Sequence, residues 1–166
     1  MLVLGLGAWG QTRIPQLDHA RGKRVTFHYT YSLSKADAPF SPVTEGDVVV
    51  EEDAYRLNGL GLEVVCDGTT RWSMDPEAME LVIETIEKDN VVDNPGLLVS
   101  TYENFASILQ VKGGSSNSLD LILDLDDDMR ARFVLTDIVY MDKQGKSDFS
   151  VDEKSLSKDY VITDLR

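Results

Sequence analysis

Residues 54–84 read AYRLNGLGLEVVCDGTTRWSMDPEAMELVIE, a succession of short apolar runs separated by three turn signals. The turn signals are Asn58-Gly59, Asp67-Gly68 and Asp75-Pro76. Asn-Gly and Asp-Gly pairs adopt the positive φ angles of tight hairpins, so each run is expected to fold back on the run before it. The stretch therefore predicts a four-stranded antiparallel meander over Tyr55–Leu57, Leu62–Cys66, Thr70–Met74 and Met79–Ile83.

Alternation within these runs predicts that one face of the meander is apolar, because successive side chains of a strand point to opposite faces. The apolar face is expected to carry Leu62, Val64, Cys66, Thr70, Trp72, Met74, Met79, Leu81 and Ile83. The opposite face is expected to carry charged side chains such as Glu63 and Arg71. An apolar face of this size must be covered, either by the rest of the chain or by a ligand.

The chain has 166 residues and a formal net charge of -13. This length supports one domain with its own hydrophobic core, which we expect to span residues 11–166. The excess of carboxylates repels phosphate backbones and anionic lipid surfaces, and it argues against nucleic-acid binding and peripheral membrane binding. Cys66 is the only cysteine, so no intramolecular disulfide can form. Its alternation with Val64 predicts a buried thiol rather than a nucleophile.

Residues 1–10, MLVLGLGAWG, allow two interpretations. The glycines match the G-x-G-x-x-G loop of dinucleotide-binding proteins, but that loop must open a helix. Pro15 and the lack of a helical apolar period in residues 11–24 disfavour such a helix. The favoured interpretation is the remnant of a secretory signal peptide, with small residues at Ala8 and Gly10 before a cleavage site at Gln11. It predicts an exported, periplasmic protein.

The remaining chain predicts further strands and one or two short helices, giving a mainly β protein of about ten antiparallel strands. The additional strands are expected at Val25–Leu33, Gly46–Glu51, Ala106–Val111, Leu119–Leu125, Ala131–Met141 and Tyr160–Leu165. Asn94-Pro95 predicts a helix start, with Asn94 as the cap and Pro95 in the first turn. Leu97 and Leu98 belong to the apolar stripe of that helix.

The sequence contains no recognisable catalytic or metal-binding motif. Two histidines, His19 and His28, are too few for a zinc site, and no Ser-His-Asp order or phosphate loop is present. The run Asp124–Asp128 resembles a calcium loop, but Met129 occupies the position that requires glycine. We therefore expect a protein that is not an enzyme and needs neither a metal nor another cofactor.

Several short motifs of the chain form a recognisable series. They are Tyr55-Arg56-Leu57, Asp67-Gly68-Thr69-Thr70-Arg71-Trp72, Asp75-Pro76, Asn94-Pro95-Gly96-Leu97-Leu98 and the closing Val161-Ile162-Thr163-Asp164-Leu165-Arg166. This series resembles the LolA-like family of outer-membrane lipoprotein carriers, and in particular the divergent carrier-like proteins of Bacteroidetes. The resemblance covers residues 25–166. The chain differs from the family pattern in lacking a long N-terminal amphipathic helix. Glu52 also aligns where typical carriers place an arginine that bonds to the lid.

The resemblance implies an unclosed, curved antiparallel β half-barrel with a helical lid. It also implies a periplasmic carrier that binds lipoprotein acyl chains, or another lipid, between sheet and lid. On this reading the cavity residues are expected to be Tyr29, Tyr31, Val64, Trp72, Met74, Leu81, Ile83, Leu97 and Leu98. We expect a monomer without stable membrane insertion, with envelope proteins as further partners. The alternative is a non-catalytic envelope protein-interaction module in which the same apolar face is a dry core.

Overall fold

The computed structural model describes residues 13–92 and 94–166, and within them ten strands form a single sheet. The strands are β1 Lys23–Lys35, β2 Ser41–Glu51, β3 Ala54–Gly59, β4 Leu62–Cys66, β5 Thr70–Asp75, β6 Glu80–Thr85, β7 Leu109–Ser115, β8 Ser118–Asp124, β9 Met129–Asp142 and β10 Val161–Asp164. Their order across the sheet is β10-β6-β5-β4-β3-β2-β1-β9-β8-β7. The first and last strands of this order do not pair, so the sheet stays open, as the half-barrel expectation requires.

The predicted meander is present as β3 to β6, with local turn chemistry at its hairpins. The Asp67 carboxylate accepts hydrogen bonds from the amides of Thr69 and Thr70, both at 2.8 Å, and fixes the second turn. The predicted first turn at Asn58-Gly59 is wrong, because both residues belong to β3. The Asn58 side chain accepts a hydrogen bond from the Asp47 amide of β2 at 2.8 Å, which keeps it in the sheet. The chain reverses instead at residues 60–61, which both have positive φ angles.

The helices are short. They are α1 Pro15–Ala20 and α2 Gly96–Thr101, with 3₁₀ turns at Tyr102–Phe105 and Glu153–Ser155. We call α2 and the turn that follows it, Gly96–Phe105, the lid. The predicted cap at Asn94 is wrong, since Pro95 occupies the cap position and the Asn94 side chain bonds to the sheet. The strand predicted from Ala106 begins only at Leu109, because the 3₁₀ turn continues the lid.

The larger hydrophobic core lies between the sheet and the helices. It joins Leu17 of α1 and Leu98 of the lid to Tyr55 of β3 and Leu121 of β8. We call the face of the sheet that carries these two strand residues the inner face. Because strands far apart in the sheet order pack on the same helical layer, the sheet curves around that layer. This is the curved half-barrel that the resemblance implies.

The expectation of one shared apolar face on the meander is wrong, because the strand register places its residues on two faces. Trp72 lies opposite Val65, not Val64. Directly opposite residues of antiparallel strands project to the same face. Val65 therefore shares the outer face with four of the predicted cavity residues: Trp72, Met74, Leu81 and Ile83. The connection over residues 67–70 causes this register by setting Cys66 opposite Arg71.

The outer face of the meander is covered by residues 143–160, which we call the strap. Phe149 of the strap belongs to a second core cluster with Ala54, Val65, Trp72, Leu81 and Ile83. Because the strap crosses this face before β10 begins, β10 enters the sheet parallel to β6, with Val161 opposite Glu80. The prediction that all strands are antiparallel is therefore wrong for β10. The strap therefore seals the outer face of the meander.

A buried ionic network anchors the start of the strap. Arg24 Nε donates to Glu51 Oε2 at 2.7 Å, and its Nη2 donates to Asp148 Oδ1 at 2.9 Å. The amides of Gln144 and Gly145 donate to the same Glu51 carboxylate at 3.1 and 2.8 Å. Burial raises the pKa of Glu51, but these amides and the Arg24 guanidinium outweigh burial and hold the pKa below its ordinary value.

Candidate functional site

A cleft of about 370 Å³ opens on the inner face, beside the segment that precedes the lid. Its sheet side includes apolar side chains from four strands: Tyr29 and Tyr31 of β1, Leu57 of β3, Val64 of β4 and Phe133 of β9. This volume lies in the range of roughly 300–1,000 Å³ that is usual for small-molecule sites. The cleft is therefore large enough for part of an apolar ligand.

The aromatic wall of the cleft is held in place by specific contacts. Tyr31 stacks on Phe133, with ring centroids 4.8 Å apart and an interplanar angle of 20°. Tyr29 Oη donates to the carbonyl oxygen of Asn58 at 3.1 Å. A Cβ added at Gly59 would lie 2.4 Å from that hydroxyl oxygen, so the glycine leaves the space that Tyr29 occupies. These contacts within the protein fix the positions of the rings.

The opposite side of the cleft is formed by Val92 and Pro95, immediately before the lid. The lid itself packs closely on the sheet, because Gly96 lies directly on the ring of Tyr55. A Cβ added at Gly96 would approach a ring carbon of Tyr55 to 2.4 Å. Glycine is thus required for α2 to lie this near to β3.

One buried amide ties the start of the lid to the sheet. Asn94 Oδ1 accepts from Tyr55 Oη at 2.8 Å and from Arg71 Nη1 at 3.2 Å. Its Nδ2 donates to the carbonyl oxygen of Asn90 at 3.0 Å. Burial raises the pKa of Tyr55 far above its ordinary value, so this hydroxyl stays protonated and able to donate. The contacts of Asn94 must change if the lid moves.

Arg71 borders the cleft and is a residue of the candidate site that the sequence reasoning did not assign to it. Burial lowers the pKa of its guanidinium, but the hydrogen bond and the negative charge of Glu84, together with Tyr55, outweigh burial and raise the pKa, so Arg71 stays charged. Arg71 Nε donates to Glu84 Oε1 at 2.9 Å.

Arg71 of β5 bonds to Asn94 in the segment before the lid. Glu52, which the resemblance aligns with the lid-bonding arginine of typical carriers, pairs with Lys143. The register of β5 against β4 would have been needed to place Arg71 at this site.

The structure brings together only part of the predicted site. Tyr29, Tyr31 and Val64 line the cleft. Leu97 and Leu98 belong to the larger core cluster. Among the described residues that border the cleft, the ones on the side of the lid are Val92 and Pro95 instead. The remaining four predicted residues, Trp72, Met74, Leu81 and Ile83, face the strap. Leu57 and Phe133 complete the apolar wall and were not predicted.

A second cleft, of about 400 Å³, lies at the other end of β1 and of α2. Its floor includes Val25, Val50 and Val99, but its rim is charged. Lys146 and Asp53 of that rim pair at 2.7 Å. Because the cleft near Tyr31 has the more apolar surroundings, it is the better candidate for an apolar ligand.

Two further findings concern the described part of the chain. Within it, no group of three or more His, Cys, Asp or Glu side chains is arranged to hold a metal ion. Among its helices, none is both long enough and apolar enough to cross a membrane.

Comparison with known proteins gives a fold. No protein-family model and no curated protein sequence matches the chain. Among solved structures, the chain is similar to the crystal structure of a LolA superfamily protein from Nitrosomonas europaea, with a TM-score of 0.51 and 7% sequence identity. The similarity covers 83% of this chain and 97% of that chain. At this identity the likeness shows a LolA-like fold alone.

Proposed function

We propose that this protein is a carrier of lipid or lipoprotein that holds an acyl chain in the cleft between the inner face and the segment that precedes the lid. The observation that carries the proposal is the apolar wall of Tyr31, Val64 and Phe133 at an opening of the half-barrel. A carrier needs an apolar concave surface, a movable cover and a polar exterior, and no nucleophile or base. The LolA-like fold supports the same role.

The energetics of an acyl chain agree with a cleft of this kind. Each buried methylene contributes about 0.8 kcal/mol. The loss of translational and rotational freedom on binding costs roughly 4–15 kcal/mol, so several methylenes must be buried before binding is measurable. Affinity should then rise about tenfold for every two methylenes added, until the cleft is full.

Loading requires the cover to move. The segment with Val92 and Pro95 forms one side of the cleft, and Asn94 between them bonds to Tyr55 and Arg71. Breaking these two hydrogen bonds would release the segment that borders the cleft from the sheet, while Leu97 and Leu98 keep the lid in the core. We therefore assign Asn94 as the latch of the cleft.

A matched pair of variants tests the proposal. Val64 and Met74 are both half-buried strand residues of one hairpin, but Val64 faces the cleft and Met74 faces the strap. The delipidated protein is titrated with an acyl probe whose fluorescence rises in apolar surroundings. Val64→Gln should weaken probe binding about tenfold, since a polar amide replaces apolar contacts. Met74→Gln should leave it unchanged. Absence of probe binding, or equal weakening by both variants, contradicts the proposal.

Export to the periplasm is part of the proposal, because carriers of this type exchange cargo between envelope membranes. The signal-peptide prediction for residues 1–10 lies outside the described residues. The intact mass of the protein from the native envelope fraction should correspond to a chain that begins at Gln11. A full-length chain in the cytosol would contradict export.

A second candidate function has its own observation. Val161, Ile162 and Leu165 at the β10 edge are exposed apolar residues, with 62%, 44% and 63% of their surface accessible. An exposed sheet edge of this kind can pair with a strand of another protein. In this alternative the protein is an envelope interaction module, and the probe titration gives no binding.

A further inference from the structure

A polar cleft of about 210 Å³ adjoins the apolar cleft, and Arg71 lines both. The other described residues around this polar cleft are Glu84, Thr85, Ile86, Glu87, Asn90 and Asn94. We call it the polar chamber. An acyl chain in the apolar cleft with its polar end at Arg71 would place that end beside this chamber. The chemistry of the chamber therefore selects among amphiphiles.

The formal charges around the polar chamber sum to a negative value. One guanidinium, Arg71, stands against two carboxylates, Glu84 and Glu87. Arg71 is hydrogen-bonded to Glu84 at 2.9 Å, so its charge is already compensated. The net charge of the chain, -13, adds a repulsion that extends over the screening length of about 8 Å at physiological ionic strength. A carboxylate or phosphate group gains little here and is repelled by Glu87.

Neutral polar groups meet a different environment. Three of the residues that line the chamber, Thr85, Asn90 and Asn94, are polar and uncharged. Such groups donate and accept hydrogen bonds without demanding a charge on the ligand. An ester, an amide or a glycerol hydroxyl suits this lining.

We infer that Glu84 and Glu87 make the polar chamber a filter, which admits acyl chains joined through a neutral ester or amide and excludes free fatty acids and phosphate-bearing lipids. This inference rests on the proposed acyl-binding function and names the determinant of its cargo class. Arg71 is a positioning residue in this account, because it joins the lid segment to the sheet between the two clefts.

Competition between two palmitoyl lipids tests the filter. The delipidated full chain is loaded with a neutral fluorescent probe, which is displaced by monopalmitoylglycerol or by palmitate at neutral pH. Monopalmitoylglycerol should displace the probe at a roughly tenfold lower concentration than palmitate, because only palmitate brings a like charge to the chamber. Equal potency of the two lipids, or greater potency of palmitate, overturns the inference.

Charge variants supply the second arm of the test. Glu84→Gln and Glu87→Gln should each increase the potency of palmitate relative to monopalmitoylglycerol by about threefold or more. Glu63→Gln is the matched control, since it makes the same charge change at an exposed position on the outer face of β4. It should not change the ratio. A ratio that moves equally in all three variants indicates a long-range charge effect and overturns the filter.

The two proposals fail in different ways. If neither lipid displaces the probe, or the probe does not bind, the proposed acyl-binding function is wrong, and the filter inference is wrong as well. If both lipids displace the probe equally, acyl binding stands and the filter alone is wrong.

Discussion

The two faces of the β3–β6 meander differ in how they are covered. On the outer face, Leu81 and Ile83 are fully buried beneath Phe149 and the rest of the strap. On the inner face, Val64 and Ser73 remain half-buried at the cleft. The meander thus forms a sealed core on one side, and three of its strands, β3 to β5, form part of the wall of an open cleft on the other.

This difference shows how a sheet can keep an incompletely filled face. An unfilled apolar cleft forfeits packing contacts, and that loss must be offset elsewhere in the fold. The core under the strap and the buried Arg24–Glu51–Asp148 network stabilise the strands from the outer face. The inner face can then remain available to a ligand.

The largest expected effect comes from a charge placed on the outer face. Leu81→Asp puts an unpaired carboxylate into the strap core and should lower the free energy of unfolding by about 4 kcal/mol or more. Val82→Asp, one residue along β6 on the inner face and half-buried, should lower it far less. Urea unfolding followed by circular dichroism measures both values. Equal losses would mean that the two faces do not differ as described.

The second largest effect is expected on acidification, which should reduce the stability that the anchor of the strap contributes. The pKa values of Glu51 and Asp148 are held below their ordinary values of 4.5 and 3.8. For Asp148, the first cause is the hydrogen bond from Arg24. Because both pKa values are depressed in the folded state, these groups stabilise the fold above the ordinary values. That contribution is lost as the pH falls through the folded pKa values.

The Glu51→Gln variant isolates this network. It should unfold more easily than the wild type at neutral pH and show a flatter loss of stability on acidification. Thermal melts between neutral pH and pH values below 3.8 would show the difference. If the melting temperature falls as steeply with decreasing pH in the variant as in the wild type, Glu51 does not cause the loss of stability in acid.

A smaller effect is expected at the contact between the lid and the inner face. Gly96→Ala adds a Cβ that would lie 2.4 Å from the Tyr55 ring, so α2 must shift. We expect a loss of about 1–3 kcal/mol together with altered probe affinity. Gly113→Ala is the control, because an added Cβ there meets nothing within 4 Å. If the two alanine variants behave alike, the lid is not seated on Tyr55.

The smallest effect is expected for Trp72, whose fluorescence should not respond to a ligand in the cleft. Trp72 lies on the outer face, 6% exposed, so a ligand in the cleft should leave its fluorescence emission nearly unchanged. The sequence had placed this indole in the cavity. Trp9→Phe isolates the signal of Trp72, since the chain has two tryptophans. A clear spectral shift on loading would place the ligand beside the strap core instead.

Much of the sheet could be predicted from the sequence, because hairpin turns and alternation act locally. The faces of the meander could not be predicted, since Val64 and Val65 are both apolar and either could face the helices. The number of residues in the connection at 67–70 settled the choice. The strap was missed for a different reason. Its apolar residues are isolated in a polar segment without any period, so only the folded sheet reveals what they cover.

Part of the candidate site followed from the same local signals. Tyr29, Tyr31 and Val64 lie on strands whose alternation was clear. Phe133 joins them through the pairing of β1 with β9, where it lies opposite Tyr31. Arg71 was assigned to a charged outer face, and only the register turns it towards Asn94. Pairing between strands therefore determines the part of the site that local sequence patterns do not predict.

Photoaffinity labelling tests the central claim most directly. A palmitoyl glycerol with a photoreactive group near the chain end is bound, irradiated and located by peptide mass spectrometry. The account predicts labels on cleft residues such as Tyr31, Val64 and Phe133, or on Pro95 before the lid, and competition by unlabelled monopalmitoylglycerol. Labels concentrated on the strap, at Val151 or its neighbours, or labels that no competitor reduces, would contradict it.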